Sequence, residues 1–250
     1  MRLEKFREAK RDELYRLRFT PPTAYYEGIR PLFIAPSDRI NVIAEYKRAS
    51  PSAGVINDKL SPEDVARQYA AGGADMISVL TEERYFDGRL DYLGRIAATV
   101  KLPLLRKDFI FDELQVRETA TTPASAMLLI VSLTPEVEHL RSLIRLADSF
   151  GIQPVVEIFS AAELRIAREA GARVIQVNNR DLETLKVDTT VTARLIHEKQ
   201  AGEIWIAASG IDSHERLSRL DGYDAALIGS ALMKSAEPGA ALRRIIRGTD

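Results

Sequence analysis

The sequence contains no cysteine. That absence excludes disulfides and thiolate metal sites and is compatible with a reducing compartment. Histidine is almost as scarce: His139, His197 and His214 fall in helical stretches at unrelated spacing, which leaves no metal-ligand pattern. No charge sign dominates either, since 35 Lys and Arg face 36 Asp and Glu for a formal net charge of -1, and the basic residues are spread along the chain. Nothing supplies the continuous positive surface that nucleic acid requires, so an anionic ligand needs a local site. Long apolar runs are also missing. The aliphatic stretches are too short to cross a bilayer, and the opening "MRLEKFREAKRDELYRLR" lacks the apolar segment of a signal peptide. The expectation is a soluble cytoplasmic protein.

What is present is enough for a large core. A chain of 250 residues that is 46% hydrophobic fits one large α/β domain. Short β-rich runs recur at 41–46, 76–81, 103–108, 126–131, 154–159, 174–179, 204–209 and 225–230. Segments of helical periodicity separate them, such as "SPEDVARQYAAGGA", "TPEVEHLRSLIRLADSFG" and "SAAELRIAREAGA", the last two opening on a Thr or Ser cap and running to Gly. Strand and helix in regular alternation imply parallel pairing, and eight such units predict a (β/α)8 barrel. Leu3, Phe6, Leu14 and Leu17 predict an amphipathic helix ended by "TPP" at 20–22 and packed across the barrel. The expected organisation is one domain over 1–250, with a helical extension at 1–40 and the barrel at 41–250.

In such a barrel the interior is apolar and catalytic groups gather at the carboxyl ends of the strands. The stretch "VIAEYKRASPSAG" at 42–54 places Glu45 and Lys47 on one face of the first strand. Taken alone, that fits an edge strand with a surface ion pair as well as it fits a site. Polar residues, however, end most of the other strands: Lys107, Glu157, Asn178 with Arg180, Ser209 with Gly210, and Gly229 with Ser230. Individually, Lys107 could be a loop lysine, Arg180 could pair with Asp181 or Asp108, and Asn178 could close a turn. Jointly, two carboxylates with two lysines point to acid/base chemistry. In "ASGI" and "LIGSALM", a Gly stands where each of the last two strands yields to a loop, the place for a backbone phosphate cradle.

The runs "VIAEYKRASPSAG", "SVLTEERYFDG", "LPLLRKDFIFDELQV", "AMLLIV", "VVEI", "NNRDLET" and "LIGSALM" resemble indole-3-glycerol-phosphate synthases of tryptophan biosynthesis, over roughly residues 40–235. The resemblance implies ring closure, decarboxylation and dehydration of 1-(2-carboxyphenylamino)-1-deoxyribulose 5-phosphate to indole-3-glycerol phosphate. It implies no metal and no organic cofactor. In the pattern it implies, Lys107 is the principal general acid and Glu157 the general base, while Lys47 holds the substrate carboxylate or shares the acid role and Glu45 orients the lysines. Asn178, Arg180 and Ser209 position the substrate, and Phe86, Phe109 and Leu128 sandwich the anthranilate ring, although plain core packing is an equal reading of those three. Ser50, Gly210, Gly229 and Ser230 hold the phosphate, and the "SPSAG" loop is a mobile cover. The expected partner is a phosphorylated small molecule, with no nucleic acid or membrane, and the chain is expected as a monomer.

Three positions depart from the family pattern. Ala208 stands where the family usually has Glu, Gln176 where it has Gly, and Pro123 where Gly ends the helix before the fourth strand. The segments after the fourth and seventh strands are also about one and two residues short. Since Lys107 and Glu157 remain, the departures predict reduced or retuned activity. Competing readings are phosphoribosylanthranilate isomerase, a Schiff-base aldolase using Lys107 or Lys47, and a barrel that binds phosphorylated ligands without turnover, for which Ala208 is the motive.

Overall fold

Alternation along each strand sorts side chains into two layers, and the sorting is visible in burial. Ile43, Met76, Leu105, Leu128, Val155, Val174, Ile206 and Leu227 fill the barrel interior. Their neighbours Val42, Ala44, Ile77, Val79, Met127, Val156, Ile175 and Ala226 pack outward against the helices. The computed structural model describes residues 2–35, 37 and 39–248, so Met1, Pro36, Asp38, Thr249 and Asp250 of the expected 1–250 domain lie outside the described residues. Eight parallel strands close the barrel in sequence order: β1 Asn41–Tyr46, β2 Met76–Leu80, β3 Leu104–Lys107, β4 Ala126–Ile130, β5 Gln153–Ile158, β6 Val174–Asn178, β7 Ile204–Ala208 and β8 Ala225–Ile228. The first matches its expected range. The others end one or two residues sooner, because the chain peels from the ladder at the barrel mouth. No helix among the described residues is long and apolar enough to cross a membrane.

Caps fix the helix ends where the sequence carries the right residue. Ser61 accepts the Asp64 N–H and Ser160 the Glu163 N–H, and Gly73 and Gly171 close the same two helices in left-handed conformation at φ 97° and 95°. Thr134 does not cap the next helix as expected. It ends the 3₁₀ turn Val131–Leu133 with its hydroxyl donating to Ile130 O, and the helix Val137–Ser149 starts later without a side-chain cap. The departure at Pro123 also has a structural cause. Thr121, following helix Glu113–Ala120, has φ -77°, so no left-handed glycine is required. The carbonyls there are served from the N-terminal extension: the Arg30 guanidinium donates to Ala120 O at 2.7 Å and Thr122 O at 3.0 Å, and the Tyr26 N–H donates to Ala120 O.

The extension is two helices, Arg2–Ala9 and Arg11–Phe19, in place of the single helix expected. They break at Lys10. Phe6 and Leu17 are buried as predicted, and the break turns the Lys10 ammonium inward, 2.7 Å from Asp108 Oδ1 just past β3. Asp108 is fully enclosed. Thr81 Oγ1 donates to Oδ2, the Phe109 N–H to Oδ1, and Arg106 Nη2 lies 3.2 Å from Oδ2. Burial pushes the Asp108 carboxyl up, but the Lys10 and Arg106 charges and the hydrogen bonds outweigh it and hold the pKa at about 2. This cluster ties the extension to the strand that carries Lys107.

A depressed carboxylate pKa contributes stability that is present above the unfolded value, about 3.9, and is lost as pH falls through the folded one. Lys10→Met is therefore expected to destabilise the protein by about 3 kcal/mol at neutral pH, the lower end for a broken buried pair, since Arg106 still faces Asp108. Denaturant unfolding from pH 7 to 2 checks this: the deficit should shrink below about pH 4. A deficit independent of pH would mean that lost packing, not the ion pair, carries the effect.

Candidate active site

Charged inward-facing positions gather toward the carboxyl ends of the strands. Glu45 on β1, Lys107 on β3, Glu157 on β5 and Asn178 on β6 all border one cavity of about 500 Å³ at that end. The same cavity is lined by Lys47, Ser50, Phe86, Phe109, Leu128, Arg180, Ser209, Gly210, Gly229 and Ser230, so every site residue expected from the sequence meets there.

The charges are arranged as two carboxylates with two ammonium groups. Lys47 Nζ lies 2.5 Å from Glu45 Oε2, and Lys107 Nζ lies 4.0 Å from Glu157 Oε2. Both carboxylates are buried, at 3% exposure for Glu45 and 1% for Glu157, so unpaired charge here would be strongly destabilising. Burial pushes the Glu45 carboxyl up, but Lys47, Lys107 and Arg180 outweigh it and hold the group below the usual carboxylate range. Arg180 pairs with neither Asp181 nor Asp108. Its guanidinium donates to Leu185 O at 2.9 Å, and its N–H donates to Asn178 Oδ1, which fixes the loop after β6.

An apolar wall faces these charges. Phe109 stacks on Phe6 with ring centroids 4.1 Å apart and planes 17° apart, and Phe86 sits 6.0 Å from Phe109. Phe6 was not foreseen as a lining residue, because its approach to Phe109 depends on the distant Lys10–Asp108 contact. At the far side Arg216 and Lys234 join Ser50, Gly210 and Ser230 around the cavity. Lys234 lies one turn beyond Ser230, the only local signal for it. Ser209 and Gly210 both have positive φ, 68° and 81°, and the Asn179 amide holds Ser209 O at 3.0 Å. A serine in that conformation is strained by roughly 1 kcal/mol or more. Ser50 belongs to a small antiparallel ribbon, Ala49–Ser50 with Gly54–Val55, and Pro51 and Ser52 at its tip border the cavity.

The family model described as indole-3-glycerol phosphate synthase matches residues 11–245. The chain belongs to the indole-3-glycerol phosphate synthase family. An indole-3-glycerol phosphate synthase of Carboxydothermus hydrogenoformans is 45% identical over 211 residues, covering 83% of this chain and 80% of that protein. One from Chlorobium phaeovibrioides is 39% identical over 244 residues, covering 92% and 93%. Among solved structures, 3-hexulose-6-phosphate synthase from Salmonella typhimurium aligns with a TM-score of 0.65 at 19% identity over 83% of this chain and 97% of that one, a likeness of fold alone. The family match sets aside the phosphoribosylanthranilate isomerase and Schiff-base aldolase readings.

Of the departures from the indole-3-glycerol phosphate synthase pattern, Ala208 lines this cavity and Gln176 lies just beneath it. Ala208 is buried on the inner face of β7, between Asn178 on β6 and Leu227 on β8, and brings no charge to the cavity. Gln176 is buried on β6 opposite Glu157, and its amide Nε2 donates to Glu157 Oε2. Gly229 has a role beyond the phosphate cradle. A Cβ there would stand 2.1 Å from Glu45 Oε2 and 3.1 Å from Glu45 Cβ, so glycine makes the room in which the carboxylate sits.

Gly229→Ala should therefore push Glu45 away from Lys47. The expected loss is about 1–3 kcal/mol of stability, as for other overpacked core sites. Denaturant unfolding measures it, and a variant as stable as the parent would show that Glu45 has another place to go.

Proposed function

We propose that this chain is an indole-3-glycerol-phosphate synthase acting on 1-(2-carboxyphenylamino)-1-deoxyribulose 5-phosphate, and that the residues gathered in the cavity carry the reaction. The observation that carries this reading is the pairing of a buried carboxylate, Glu157, with a lysine 4.0 Å away at the mouth of a barrel that also offers an aromatic wall and a glycine-bordered cationic end.

In this reading the substrate phosphate lies against Ser50, Gly210, Gly229 and Ser230, with Arg216 and Lys234 adding positive charge. The anthranilate ring sits between Phe86, Phe109 and Leu128, and Asn178, Arg180 and Ser209 hold the hydroxyls and the carboxylate. Lys107 gives a proton to the ketone oxygen while the ring carbon bearing the carboxylate attacks the ketone carbon, and a carbon–carbon bond forms. The ring regains its aromaticity when the carboxylate leaves as carbon dioxide and its bonding electrons return to the ring. Glu157 then takes a proton from the carbon next to nitrogen, a double bond forms, and the hydroxyl leaves as water with a proton from a lysine. Lys47, paired with Glu45, steadies the substrate carboxylate or shares the acid role. The apolar wall keeps the charges in a medium where their pairing is strong.

Fixed by Phe6 and Lys10 against the barrel, the extension at 1–40 and the barrel at 41–250 act as one domain. The chain is read as a cytoplasmic monomer working on a diffusible substrate, and its cysteine-free composition suits a reducing compartment. Ala208 supports a second reading, a barrel that binds phosphorylated ligands without turnover, because one carboxylate of the family pattern is missing.

Incubation of the purified protein with the anilino-deoxyribulose phosphate should produce indole fluorescence. Lys107→Ala should slow that by about 10²–10⁴-fold, the usual effect of a lost general acid, with KM changed only a few-fold. Near-normal turnover in the variant would move the acid role to Lys47. Phosphate binding by the parent protein with no indole product would favour the second reading.

A further inference from the structure

Strands β5 and β6 place Glu157 and Gln176 directly opposite each other, both facing into the barrel. Gln176 has no exposed surface, and its Nε2 donates to Glu157 Oε2, the same oxygen that Lys107 approaches at 4.0 Å. The other oxygen, Oε1, is buried and hydrogen-bonds to no group among the described residues, although Glu157 borders the cavity. The carboxylate is thus held through Oε2 alone.

Packing alone does not account for a glutamine here. Its Oε1 is itself buried and hydrogen-bonds to no group among the described residues, which is destabilising for an amide oxygen. Its register neighbour on β7 is Ile206, and an apolar residue of similar volume would fill the same layer without that penalty. What an apolar residue cannot do is donate to Glu157. The donor is also an addition of this chain, since the family pattern has glycine at this position, and it accompanies the loss of a carboxylate at Ala208 on the same inward face.

We propose that Gln176 is a positioning residue for the reaction: it grips Glu157 Oε2 and fixes the carboxylate in the orientation in which it takes the substrate proton. The inference rests on Glu157 being the general base. It predicts an effect on the chemical step, not on substrate binding, because Gln176 lies beneath Glu157 and is not among the cavity-lining residues.

Gln176→Met keeps the volume and removes the donor. The expected outcome is a kcat lower by about 10- to 100-fold, the scale of a misplaced catalytic group, with KM within about threefold. In a Glu157→Gln background, where no carboxylate remains to position, the same substitution should change kcat less than about twofold. Gln176→Ala, which adds no bulk, should reproduce both results if the methionine variant folds poorly. A Gln176→Met enzyme with unchanged kcat, or an equal fractional loss in both backgrounds, would overturn the positioning role while leaving Glu157 as the base. Near-normal kcat in Glu157→Gln alone would instead remove Glu157 from the mechanism, and this inference with it.

Discussion

Carboxylates do not enter the dry interior of a barrel without partners, and much of this site's arrangement follows from burying two of them. Glu45 and Glu157 are nearly inaccessible, and the effective penalty for each as an isolated ion would be several kcal/mol. Lys47 and Lys107 supply the opposing charges, Gln176 supplies a hydrogen bond, and Gly229 supplies the space for Glu45. These are local solutions to one electrostatic problem. Their by-product is a set of proton donors and acceptors held in fixed geometry, which is what acid/base catalysis needs.

A further buried ion pair links the N-terminal extension to the end of β3. Lys10 in the break between the N-terminal helices meets Asp108, the residue after Lys107, and Phe6 one turn earlier stacks on Phe109. The extension is thereby fixed to the segment that carries the expected acid and the ring wall. An amphipathic helix lying loosely across the barrel would give neither contact.

The barrel and its charged layer were legible in the sequence because both leave local marks: short β-rich runs in regular alternation with helical segments, caps around the helices, and polar residues at strand ends. The resemblance assigned roles to Lys107 and Glu157 that no periodicity could give. Contacts between distant segments left no such mark. Nothing near Lys10 announces Asp108, nothing near Arg30 announces the carbonyls that make a glycine at Pro123 unnecessary, and Gln176 reads as a mere departure until β5 is placed beside β6. Thr134 misled for a local reason, since its hydroxyl turned back to Ile130 instead of forward to the helix. Gly229 was read for its backbone, whereas its missing side chain matters to Glu45 as well.

The central claim is that ring chemistry takes place inside this charged layer, with the phosphate held at the ends of β7 and β8. A crystal structure with indole-3-glycerol phosphate bound tests it most directly. The phosphate should lie against Gly210, Gly229 and Ser230, and the indole ring against Phe109 and Leu128, with Lys107 and Glu157 on either side of the newly formed ring bond. A product molecule bound with its ring outside this cavity, or with its phosphate at the opposite end of the barrel, would contradict the account.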